Sequence, residues 1–73
     1  MAVPDRQVGK VLRIMREKGF FFARTPDGKD WFCHRSELRG GWTFDALGEG
    51  MEVEFLPVPD ALKGPRATEI TVL

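Results

Sequence analysis

Residues 18–34, KGFFFARTPDGKDWFCH, read as a β-hairpin and leave little room for any other local structure. Two strand-like aromatic runs flank Pro26-Asp27-Gly28-Lys29. There proline presets one turn dihedral, aspartate bonds its own backbone, and glycine supplies a positive φ. The pattern predicts antiparallel strands at about 20–25 and 30–34. Side chains alternate faces along a strand. Phe21, Ala23, Trp31 and Cys33 therefore share one face and form a candidate core, while Phe20, Phe22, Phe32 and His34 share the other, with Lys18 and Arg24 at its margins. Single-stranded nucleic acid is bound by such a combination of rings and cations, because every base offers a π-face and every nucleotide a phosphate. Alternatively, Phe20, Phe22 and Phe32 cover a second core layer under the acidic half of the chain; spacing alone does not separate the two.

The rest of the chain supplies further strands. Met51, Val53 and Phe55 alternate with Glu52 and Glu54, the pattern of a half-buried strand. In RATEITVL, Ala67, Glu69 and Thr71 alternate with Thr68, Ile70 and Val72, which gives another. Three prolines in LPVPDALKGPRA mark a connection and not a helix. The opening segment VGKVLRIMREKG is ambiguous: Val8, Val11, Leu12 and Met15 fall at i, i+3, i+4 and i+7 with Gly19 as a helix stop, while Gly9 and the β-branched Val11 and Ile14 suit a strand.

At 73 residues the chain is expected to be one domain, 1–73 with its core at about 7–73. A domain of this size buries only about 60% of the surface its unfolded form exposes, so large rings are not placed idly. Hydrophobic residues at 42% and charged residues at 30% are a folded, water-soluble balance rather than a disordered or membrane one. Cys33 is the only cysteine, so no intrachain disulfide staples the core and a reducing compartment fits. Without a long apolar run or a signal-like N-terminus, the expected location is the cytoplasm, with no membrane partner. A net charge of zero argues against indiscriminate coating of nucleic acid, but the charge is unevenly spread. Residues 6–39 carry nine of the eleven Lys and Arg against four acids, and residues 40–73 carry two against six, an asymmetry that hints at a polyanion-facing surface.

GKVLRIMREKGFFFARTPDGKDWFCHRSEL resembles the bacterial cold-shock domain family, whose opening G-K-V-K-W-F is followed by K-G-F-G-F-I and D-V-F-V-H-F-S. GEGMEVEF and KGPRATEITVL are similar to the family's closing motifs. The resemblance spans nearly the whole chain and implies an all-β, five-stranded antiparallel OB-fold barrel, which favours a strand over a helix at residues 8–18. It also implies binding of single-stranded RNA or DNA, as an RNA chaperone or expression regulator, with strand pairing discouraged. Phe20, Phe22, Phe32 and His34 match the family's stacking positions, and Lys10 its basic residue on the first strand. Arg13, Ile14 and Arg35 stand where the family has rings, and Leu12 stands where it has a second lysine. A planar guanidinium can itself stack on a base, so Arg13 and Arg35 keep binding while changing its character. Phe21 and Ala23 replace the family's Gly and Ile, a large-for-small exchange that roughly keeps core volume.

The candidate nucleic-acid-binding residues are thus Lys10, Arg13, Lys18, Phe20, Phe22, Phe32, His34, Arg35, Trp42, Phe44 and Lys63. Of Trp42 and Phe44, in a loop over 35–50 that is mobile by composition, one is expected to stack on bases and the other to plug the barrel's end. Cys33 and His34 point to opposite faces and no other His or Cys is present, so no metal site is expected. No nucleophile–base spacing or phosphate-binding loop is present, so neither catalysis, a cofactor nor a small-molecule substrate is expected. The competing reading is an OB domain repurposed to bind a protein partner.

Overall fold

A computed structural model describes residues 6–41, 43–59 and 64–73. Among the described residues five strands form, β1 (Gln7–Met15), β2 (Phe20–Arg24), β3 (Asp30–His34), β4 (Glu52–Val58) and β5 (Arg66–Val72), with short 3-10 turns at Arg35–Glu37 and Phe44–Ala46. They close into a barrel in the order β1-β2-β3-β5-β4, with β4 returning to β1. Four seams are antiparallel; the β3–β5 seam is parallel, pairing Phe32 with Arg66 and Cys33 with Ala67. The expected all-antiparallel barrel is corrected here on topological grounds. Strand direction cannot alternate at every seam of a closed ring with an odd number of strands.

The opening segment is a strand. Its helix-like spacing arises from a bulge: Val11 pairs with Ala23 but Arg13 pairs with Phe22, leaving Leu12 as the extra residue. Val11 is buried, whereas Val8 and Leu12, half of the supposed helical stripe, are exposed. The bulge turns Arg13 outward beside Phe22 and sets Ile14 opposite the buried Phe21, where it packs on the core. Gly9 is needed because a Cβ there would stand 3.1 Å from the carbonyl oxygen of Arg24. Gly19 closes the β1–β2 turn at φ 76°, its N–H bonded to the Met15 carbonyl.

A second bulge corrects the simple alternation read for β5. Ala67 and Ile70, placed on opposite faces by a strict two-residue period, are both fully buried, and Val72 joins them. Glu69 takes a left-handed φ of 49° and the β4 register shifts between Glu54 and Leu56, which resets the phase. The bulge's backbone is satisfied from outside: the Glu69 N–H donates to Glu37 Oε1 at 3.2 Å, and the Arg6 guanidinium donates to the Glu69 carbonyl.

The core contains the four hairpin residues assigned to it, with Trp31 and Phe55 rings 5.4 Å apart. The Trp31 indole N–H donates to the Thr25 hydroxyl at 3.1 Å, which gives the buried threonine at the start of the turn a partner. Described residues of the 35–50 loop pack on the barrel. Leu47 is buried and Phe44 half-buried against the core, and the Arg16 guanidinium donates to the Leu47 carbonyl at 2.7 Å.

Candidate nucleic-acid interface

Cross-strand partners share a face, so the register of β1, β2, β3 and β5 lays out the outer surface in rows. One row runs Arg13–Phe22–Phe32–Arg66, the row below it Met15–Phe20–His34, and the row above it Lys10–Arg24–Asp30. Phe20 lies 5.1 Å from Phe32 and 5.6 Å from Phe22, and Phe22 lies 6.1 Å from Phe32, centroid to centroid, in tilted and edge-on contacts. The rings are half-buried rather than fully exposed, because each packs against the edges of the others. They form a continuous aromatic patch on the outside of the barrel, while Phe21, between two of them in sequence, fills its interior.

His34 extends the patch, its ring 6.5 Å from Phe32. Its orientation is set by Nδ1, which accepts from the Ser36 backbone N–H at 3.2 Å and lies 2.9 Å from the Ser36 hydroxyl, capping the first 3-10 turn. With Nδ1 an acceptor, the neutral ring carries its proton on Nε2 and keeps that donor for another group. Arg35 is exposed next to it, its backbone N–H bonded to the Gly19 carbonyl and its Cδ lying 3.1 Å from where a Gly19 side chain would begin. Gly19 therefore makes room for Arg35 to lie along the margin of the patch. Lys10, Arg13 and Lys18 are exposed around the same surface.

Phe44 packs against the core, its ring centroid 6.4 Å from that of Phe21. Trp42 and Lys63 lie outside the described residues. Arg66 was missed by sequence reasoning. Its guanidinium carbon sits over the Phe32 ring, 5.6 Å from the centroid. Only the parallel seam places it there, and it falls in the charge-poor half of the chain. Two carboxylates stand in line with the upper row: Glu52, which pairs with Lys10 from β4, and Asp30, to which Arg24 donates, Nε to Oδ1 at 2.7 Å and Nη2 to Oδ2 at 3.3 Å. The Arg24 hydrogen bonds hold the Asp30 carboxyl below the usual range, and Asp30 in turn raises Arg24. Among the described residues, no three His, Cys, Asp or Glu side chains converge as a metal would require. Nor is any helix among them long and apolar enough to cross a membrane.

The surface is thus a set of flat π-faces rimmed by hydrogen-bond donors and positive charge. Comparison with known proteins identifies the family of the chain. The 'Cold-shock' DNA-binding domain family model matches residues 7–73. Cold shock-like protein CspC of Bacillus cereus is 37% identical over 65 residues, covering 89% of this chain and 97% of that protein. The major cold shock protein of Streptococcus pyogenes serotype M18 is 40% identical over 65 residues, covering 89% of this chain and 94% of that protein. Among solved structures, drosophila Unr CSD456 superposes with a TM-score of 0.76 at 23% identity, over 94% of this chain and 27% of that longer one, a likeness of fold.

Proposed function

Since the chain belongs to the cold-shock DNA-binding domain family, we propose that it binds single-stranded RNA or DNA on the outer face of β1, β2 and β3. Bases stack on Phe20, Phe22, Phe32 and His34, and phosphates are drawn by Lys10, Arg13, Lys18 and Arg35. The observation that carries this reading is the ring cluster itself, with centroids 5.1–6.1 Å apart on the outside of a barrel whose interior is already filled. An aromatic ring spent on a surface is free to hold another flat group, and each base so held contributes about 1–3 kcal/mol.

A base lying on one of these rings is withdrawn from pairing, so binding disfavours duplex and hairpin structure. That is the action of an RNA chaperone or expression regulator working in the cytoplasm, where single strands are abundant, and it needs neither a catalytic group nor a cofactor. The cationic rim favours nucleic acid over the apolar groups of a protein as the occupant of the patch. Fluorescence anisotropy with a labelled pyrimidine-rich strand tests the assignment. Phe22→Ala and Phe32→Ala should each weaken binding by roughly 1–3 kcal/mol while costing clearly less stability than the about 3–5 kcal/mol of a buried Phe→Ala change such as Phe21→Ala. Variants that unfold readily yet bind as wild type would make the rings core and refute the reading.

A further inference from the structure

The geometry points to a guanine-selective position on this platform, with Arg66 reading the edge of a base stacked on Phe32; this rests on the stacking function proposed above. Two observations carry it. The first is where the guanidinium lies. A guanidinium centred on a ring would stand at van der Waals contact, about 3.5–4.0 Å. At 5.6 Å from the Phe32 centroid, the Arg66 carbon stands outside that contact distance, so the guanidinium does not close the ring face to a ligand. A base placed on the ring beside the guanidinium would present its edge to the arginine's N–H groups. The backbone that carries Arg66 is held in place: Arg66 pairs with Phe32 in the β3–β5 seam and is half-buried, and the Phe32 N–H bonds the neighbouring Pro65 carbonyl at 3.0 Å.

The second observation is what the platform does not offer. Both oxygens of Asp30 accept from Arg24, and the other carboxylate in line with that row, Glu52, stands on β4 beyond Lys10. The side chains in the two rows that hold the rings, and Lys18 at their margin, offer donors: the guanidinium groups of Arg13 and Arg66, the Lys18 ammonium and the ring N–H of His34. Donors around Phe32 favour a base edge made of acceptors. Guanine presents O6 and N7 side by side at the spacing of a guanidinium fork, whereas adenine puts an amino donor where O6 stands and so opposes a donor to a donor.

The test uses a short oligothymidylate carrying one central dG, dA or 7-deaza-dG. The last keeps the purine stack and O6 but lacks the N7 acceptor. Wild-type protein should bind the dG strand about five- to thirtyfold tighter than the dA strand, within the range of a bidentate arginine–guanine pair. Most of that advantage should disappear with 7-deaza-dG. Arg66→Gln and Arg66→Lys should bind the all-thymidine host somewhat more weakly, as loss of one contact requires, and bring the dG to dA ratio near one. A lysine that kept the full preference would show that charge and not the fork is responsible, which overturns the proposal. Equal affinity of wild type for dG, dA and 7-deaza-dG strands, with binding still lowered by Phe32→Ala, would overturn guanine selection and leave the stacking function standing. Failure of every strand to bind would remove both.

Discussion

Single residues on this barrel differ in what they risk by being changed, because neighbours in sequence face opposite environments. Cys33 and His34 are adjacent, yet the thiol is sealed in the core and the imidazole sits on the outer patch. Burial pushes the Cys33 thiol up to about 12, only partly offset by a hydrogen bond from the Ala23 backbone. At pH 8 its thiolate fraction is therefore on the order of a thousandfold below that of a free cysteine, and alkylation of the native protein should be slower by at least that factor. Denaturant should restore the ordinary rate, so iodoacetamide labelling reports barrel opening; rapid labelling of the folded protein would contradict the assigned burial. On the outer face, Arg13 is set beside Phe22 by the Leu12 bulge. If its guanidinium stacks on bases as well as attracting phosphate, Arg13→Lys should bind more weakly than wild type despite equal charge. By the same logic Arg13→Trp should bind more tightly at moderate salt, since a base stack worth about 1–3 kcal/mol is less screened than an exposed charge contact. An Arg13→Trp variant that folds but gains nothing would mean that bases do not pass over this position.

Among the elements, the β2–β3 turn concentrates the groups whose ionisation is tied to folding. The Thr25 hydroxyl, and then the Lys29 backbone N–H, hold Asp27 below its usual range, and Arg24 does the same for Asp30. A carboxylate with a depressed folded pKa adds stability that is fully present above its unfolded pKa and is lost as pH falls through the folded value. Stability to denaturant should therefore be level near neutrality and decline below about pH 4. Asp27→Asn with Asp30→Asn should flatten that decline, and an unchanged acid profile in the double variant would show that the turn carboxylates do not contribute. The hairpin was legible in the sequence because its information is local: an alternating pattern and a turn tripeptide within 17 residues. The bulges at Leu12 and Glu69 were not. A bulge is defined by the partner strand's register, and neither leucine nor glutamate is a residue type that announces one. The same reason hid Ile14, which stands at a family ring position but packs inward. That Phe44 packs beside Phe21 was likewise not legible, because the contact is set by the tertiary fold and not by local spacing.

At the scale of the whole molecule, zero net charge conceals a division of labour. Arg6, Arg24 and Arg39 are tied into ion pairs with Glu54, Asp30 and Glu37. Lys10, Arg13, Lys18, Arg35 and Arg66 take part in none of the ion pairs found among the described residues and lie around the ring patch. The charge asymmetry of the sequence pointed to this surface but left out Arg66, whose contribution depends on a parallel seam that closure of an odd-stranded barrel requires. The central claim, that rings supply the binding and cations assist it, is tested most directly by the salt dependence of single-strand affinity in wild type and Phe32→Ala. With a few phosphates neutralised at about −0.7 each, the log–log slope should be roughly −2 to −3 for both proteins. Substantial affinity should survive extrapolation to 1 M salt in wild type, and Phe32→Ala should lose it by about 1–3 kcal/mol at every salt concentration. Affinity that vanishes entirely with salt and is indifferent to Phe32 would contradict the account, because the surface would then hold nucleic acid by charge alone.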